Sequence, residues 1–306
     1  VGVSANISRI STLDLKDKDR YMASENVFSV AKKMGFWDGK EPFKFWKAYS
    51  GGNYFGEPKS FSIREYFILN ALAPSLKLSY DAEELPISVK PDKAVAVTDV
   101  MALLRQTYEG TEWDMTKNLK VTTKNKETQK TDTLTSPAAN PWMVTDMVSM
   151  LNAVKPGTVT RNRLVSVPQC SYSHVIQLRS WLPDAVGGVA WLSFDNPGQS
   201  PRIPIFAGTT DLPVAFGICG HHRHREDAII WTYRTANKLA TVRWGLTKDK
   251  INGAVAHFEE KGLSEMPFVE SRYKELQSSK GEEAARTFLT GYTADFAGAT
   301  ILRWQE

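Results

Sequence analysis

The stretch from Tyr172 to Gly208 constrains the fold more than any other part of the chain. Val175, Gln177 and Arg179 alternate with Ile176, Leu178 and Ser180, the two-residue period of a strand with one buried face. Pro183-Asp184 breaks that run, and Gly187-Gly188 permits a turn or a close backbone approach. A second apolar run, Val189 to Phe194, ends in the turn sequence Asp195-Asn196-Pro197-Gly198, and Arg202 to Ala207 reads as a third short strand. Short connections between three such strands predict an antiparallel meander. The pattern describes a scaffold and names no chemistry.

A chain of 306 residues can bury a large core, and 42% hydrophobic with 24% charged residues is ordinary for a globular protein. The net charge of +4 is small for this length, and Lys and Arg are dispersed, so nucleic-acid or membrane-surface binding has no compositional support. No apolar run reaches membrane-spanning length, and Val1-Gly2-Val3 is not a signal peptide. A processed N-terminus reads the same way, which leaves a periplasmic or secreted location open. Cys170 and Cys219 are too few for a disulfide framework and lack zinc-site spacing; they read as one bridge or two thiols.

Taken in order, Val1 to Ile10 predicts a strand carrying Asn6, whose plain reading is a turn or edge residue. Ser24 to Met34 predicts an amphipathic helix closed by Gly35, and Trp37 to Tyr49 a packed aromatic loop. Gly51-Gly52-Asn53 is no phosphate loop, because no Gly-Lys-Ser/Thr follows. Ser62 to Leu72 predicts a helix with Arg64 in its first turn. The helix dipole disfavours a cation there, so another group should hold it; a surface salt bridge is the ordinary alternative. A helix from Thr98 or Asp99 to Tyr108 follows an extended prolyl segment, Leu85 to Lys93. Residues 116–140 lose periodicity and read as a mobile insertion or, alternatively, a long hairpin. Leu164 to Val167 predicts a strand, and helices are expected over 226–237 and from Leu263 to the end.

Two tempting clusters fail on chemistry. Cys170 with His174 suggests a nucleophile and its base, but residues four apart on a strand lie too far apart for a direct hydrogen bond. His221, His222 and His224 sit among Arg223 and Arg225, which oppose a bound dication. The lack of a GxSxG sequence leaves the α/β-hydrolase route to acyl chemistry unsupported.

LRSWLPDAVGGVAWLSFDN followed by PIFAGTTDLP resembles the C-terminal half of the C69 dipeptidases, which are N-terminal-nucleophile (Ntn) hydrolases. SANISRI, LPISVKPDKAVAVTDVMALLRQTYEGTEWDM and GEEAARTFLTGYTADFAGATILRW agree in the same order, so the resemblance spans nearly the whole chain. It implies an α+β fold, a four-layer αββα Ntn-hydrolase sandwich of which residues 1–306 supply the C-terminal part of one domain. It implies amide hydrolysis of small peptides by an N-terminal Cys whose α-amine is the base, with no metal or cofactor. It gives Asn6 a role in supporting the oxyanion or the nucleophile, and Arg64 one as thiolate stabiliser or substrate-carboxylate clamp. Relatives carry a more compact link where this chain has 116–140. This sequence begins with Val1, so the nucleophile Cys is not in this chain, and the expectation is a companion or upstream segment that carries it. The rival expectation is an inactive peptide-binding or structural paralogue. Compartment and homo-oligomerisation stay open.

Overall fold

The structure, a computed structural model, describes residues 1–50, 61–220 and 222–306. The Gly51-Gly52-Asn53 reading and His221 therefore lie outside the described residues. The chain divides into two compact units, one of residues 1–96 with 161–164, the other of residues 97–160 with 165–306.

In the first unit, α1 (Val27–Lys33) buries Val27 and Ala31 and ends before Gly35, whose φ of +72° suits the left-handed turn out of a helix. A short α2 (Phe45–Tyr49) sits inside the segment expected to be loop, and Phe43 meets both Phe28 of α1 and Trp37 edge-on. The third helix, α3 (Ser62–Leu72), has the predicted bounds. Its buried stripe is Ser62, Glu65, Leu69 and Leu72, with Ile63 beside it, so a carboxylate occupies a core position.

Residues 1–10 do not form the expected strand: among the described residues, no ladder continues beyond a single antiparallel bridge between Gly2 and Ser88. The cause is local. The Ala5 N–H turns inward to the Glu65 carboxylate rather than to a neighbouring backbone. The bridge is closed by Val1 N to Val89 O (2.6 Å) and Val89 N to Val1 O (2.8 Å).

The second unit opens with α4 (Val97–Leu104), shorter than expected; beyond its end Tyr108 is buried with φ +61°. Then β1 (Lys120–Lys124) and β2 (Thr131–Thr135) pair antiparallel, with every strand residue exposed. The unperiodic 116–140 segment is thus the hairpin alternative. After α5 (Thr145–Val154), residues 164–167 form no strand. Ser166 instead donates its N–H to Gln106 O, and its Oγ bonds Asn196 Oδ1.

The meander is as expected: β3 (Tyr172–Leu178), β4 (Gly188–Phe194) and β5 (Ile203–Phe206) form one antiparallel sheet with β4 central. The break between β3 and β4 is a one-turn α6 (Asp184–Gly187). A Cβ on Gly187 would lie 2.8 Å from Arg179 O, so only glycine fits. Arg179, expected in the strand alternation, folds back onto the Gly187 and Val186 carbonyls and pairs with Glu270. At the far turn Asp195 has φ +59°, and its buried carboxylate accepts from Arg234 Nε (2.7 Å) and Asn237 Nδ2 (2.9 Å).

After α7 (Val214–Gly217), α8 (Ile229–Val242) starts later than expected, and α9 (Trp244–Lys280) starts well before Leu263. Gly281 (φ +90°) separates α9 from α10 (Glu282–Gln305). Beyond the buried Trp244 at its start, the buried residues of α9 run Val255, Phe258, Glu259, Gly262, Met266, Val269, Tyr273 and Leu276, a three-four spacing that keeps one face toward the sheet. Gly262 lets Trp191 of β4 approach, since a Cβ there would be 3.0 Å from the indole. Helices cover one sheet face; on the other, Ile176 is 56% and Leu178 78% exposed. The architecture is α+β, with mixed helices and small antiparallel sheets. No helix among the described residues is long and apolar enough to cross a membrane.

Candidate active site

Asn6 and Arg64, predicted from separate parts of the sequence, meet in the first unit. Arg64 Nη2 donates to Asn6 Oδ1 at 2.6 Å. A guanidinium can only donate, so this contact fixes which end of the amide faces Arg64 and turns the Nδ2 donors the other way. The Arg64 side chain lies over the Phe61 ring, 5.6 Å from its centroid, which supports the cation against the helix dipole.

The scaffold beneath that pair is an ion pair that sequence reading missed. Glu65 is fully buried and accepts from Ala5 N (2.9 Å) and Arg9 Nη1 (2.7 Å). Arg9 reaches on to Leu85 O (2.7 Å) and Pro86 O (2.8 Å). One carboxylate and one guanidinium therefore tie residues 5–9 to α3 and to the prolyl segment, and Asn6 is carried to Arg64 between them. The signal was present: position 65 falls on the apolar stripe of α3, where a glutamate demands a cationic partner.

Asn6 stands at a cleft of about 230 Å³ lined by Ile7, Ser8, Phe45, Trp46, Tyr49, Ser50 and Phe61. Ile7 and Trp46 are buried and pack with Phe61 to form its floor. Phe45 N and Trp46 N donate to Ser11 O (2.9 Å) and Ile10 O (3.0 Å), which sets α2 against the chain just after Asn6. Tyr49 is anchored through its hydroxyl to Val27 O at 2.6 Å. An amide donor at the edge of a small aromatic cleft can hold a carbonyl oxygen as it gains charge, without titrating itself.

The other candidates belong to the second unit. The Cys170 thiol donates to Tyr172 O at 3.0 Å, and burial pushes its pKa up, the opposite of an activated nucleophile. Cys170 and Cys219 are both free thiols, so the disulfide alternative does not form. His222 and His224 are exposed, His224 packing edge-on against Trp231; no metal-binding cluster occurs among the described residues.

Residues 1–257 match the sequence pattern of peptidase family C69. A probable dipeptidase of Latilactobacillus sakei is 25% identical over 218 residues, 70% of this chain and 38% of that protein. A probable dipeptidase of Salmonella dublin is 26% identical, covering 67% and 39%, and probable dipeptidase B of Streptococcus pyogenes serotype M1 is 27% identical, covering 78% and 42%. The chain spans about two-fifths of the length of these curated relatives.

Proposed function

The chain belongs to peptidase family C69, and from that premise we propose that it is the C-terminal part of a cysteine-type Ntn dipeptidase. The attacking sulfur belongs to an N-terminal Cys on a companion or upstream segment. That Cys thiol attacks the peptide carbonyl while its own α-amine takes the proton. Asn6 Nδ2 donates to the oxyanion as the tetrahedral intermediate forms. Arg64 positions the Asn6 amide and sets a fixed positive charge beside the reacting group.

The observation that carries this reading is the 2.6 Å contact from Arg64 to Asn6 at the edge of the aromatic cleft. The exposed apolar face of the sheet, with Ile176 and Leu178, supports a second sheet supplied by residues outside this chain. Joined to it, the α+β core becomes the four-layer αββα sandwich.

The test is steady-state kinetics on dipeptides with the complete enzyme carrying Asn6→Ala. Loss of an oxyanion donor lowers kcat by about a hundredfold or more with little change in KM. Equal losses in binding and turnover would remove Asn6 from the oxyanion role. A complete protein that binds dipeptides without turnover would be the inactive paralogue instead.

A further inference from the structure

The cleft beside Asn6 has a lining that discriminates among side chains. Its walls are Phe45, Trp46, Tyr49 and Phe61 with Ile7, and its polar lining is limited to Asn6, Ser8 and Ser50. No charged residue lines it among the described residues. The cause lies in where the nearest cations go: Lys44 and Lys47, which flank Phe45 and Trp46, are turned to Glu83 and Glu84 at 3.1 to 3.2 Å.

Phe61 ties this cleft to the reacting centre. Its ring lies 5.6 Å from the Arg64 guanidinium and packs with Ile7 and Trp46. Arg64 in turn holds Asn6 Oδ1, and Asn6 is itself exposed at the cleft edge. A carbonyl oxygen received by Asn6 Nδ2 therefore stands next to an uncharged aromatic wall. The side chain of the residue that bears this carbonyl branches one bond nearer the carbonyl carbon than that of the leaving residue, so it is the one that reaches the cleft. At about 230 Å³ the cleft is smaller than the roughly 300–1,000 Å³ of sites that enclose a whole drug-sized ligand, and it suits one side chain. An apolar group gains there by leaving water, whereas a charged one would lose its hydration and find no partner.

We infer that this cleft is the specificity pocket for the acyl side of the scissile bond. It selects substrates whose N-terminal residue has a large apolar or aromatic side chain and rejects acidic and basic ones at that position, with Phe45 and Phe61 as the determining walls. The inference rests on the proposed hydrolytic reading and narrows it from dipeptides at large to one side-chain class at one position.

Steady-state kinetics of the complete enzyme on two dipeptide series, X-Ala and Ala-X with X as Ala, Leu, Phe, Glu or Lys, tests it. Leu-Ala and Phe-Ala exceed Ala-Ala in kcat/KM by about tenfold or more, the worth of burying such a side chain. Glu-Ala and Lys-Ala rise no higher than Ala-Ala, and the Ala-X series spreads less than the X-Ala series. Phe45→Ala opens one wall and lowers the Leu-Ala to Ala-Ala ratio about fivefold or more. Phe45→Trp fills the cleft and lowers Phe-Ala more than Leu-Ala. Asn6→Ala lowers every substrate alike and leaves the ratios in place, because the oxyanion is common to all. Each ratio is read within one preparation, so partial misfolding of a variant cancels. A preference carried by Ala-X, Glu-Ala or Lys-Ala matching Leu-Ala, or ratios that survive both Phe45 variants would overturn the inference while leaving hydrolysis standing. Failure to cleave any dipeptide of either series would overturn the hydrolytic reading and the inference with it.

Discussion

Glu65→Gln is the substitution that most sharply tests how the candidate site is built. The change is nearly isosteric, and glutamine still offers an oxygen to the Ala5 N–H. What disappears is the charge facing Arg9, whose side chain is 10% exposed while that of Glu65 is 0% exposed. At an effective dielectric near 20 and about 4 Å between charge centres, the attraction is about 4 kcal/mol. Breaking a buried pair from one side costs about 3–5 kcal/mol. Arg9 keeps Leu85 O and Pro86 O as acceptors, so the lower end of that range, about 3 kcal/mol, is expected. The readout is hydrogen exchange of residues 1–10 and 62–72, because the pair fastens these segments locally. A loss of about 3 kcal/mol speeds exchange from the opened state by about a hundredfold. Replacing both partners, Arg9→Met with Glu65→Leu, removes the buried charge altogether and restores most of the protection. A change below tenfold in Glu65→Gln would refute the claim that this pair holds Asn6 against Arg64.

Three other outcomes follow from the same structure. Arg64→Ala lowers kcat about as far as Asn6→Ala, and the double variant falls little further, because the two side chains act as a unit; a double-mutant cycle checks this, and a loss confined to KM for free-acid dipeptides would make Arg64 a carboxylate clamp instead. Replacing residues 121–134 with a two-residue Asn-Gly turn changes stability by less than about 1 kcal/mol in urea unfolding, since every hairpin strand residue is exposed; a larger loss would mean the hairpin has a packing partner. Cys170 reacts slowly with a disulfide reagent at neutral pH, because a raised pKa leaves little thiolate; its rate climbs as pH passes above the ordinary thiol range, and a fast neutral reaction would contradict the buried, protonated thiol.

What the sequence disclosed, and what it hid, follows from where each signal resides. The β3-β4-β5 meander was legible because alternation, Gly187 and the Asp195-to-Gly198 turn all act within a few residues. The bounds of α3 were legible for the same reason. The strand expected at residues 1–10 failed because the Ala5 N–H is claimed from far away, by the Glu65 carboxylate. The helix α4 stopped short of Tyr108, which is buried with φ +61°, and burial against distant residues is something a local pattern cannot register. At the site, Asn6 and Arg64 were named by resemblance and by the oddity of a cation in a first turn. Their partnership spans 58 positions and was not visible in either segment alone. Glu65 and Arg9 were passed over, although a glutamate on an apolar stripe is a signal in its own right.

The central claim, that the attacking sulfur belongs to a Cys beyond these residues, is tested most directly by thiol labelling of the complete native enzyme. Iodoacetamide is added in limiting amounts, activity on a dipeptide is followed, and the labelled cysteines are mapped by mass spectrometry. Inactivation is expected to track modification of an N-terminal Cys outside the 306 residues, and a Cys170→Ser/Cys219→Ser enzyme should keep its activity. Inactivation that tracks Cys170 or Cys219, or loss of activity in that double variant with its fold intact, would contradict the account.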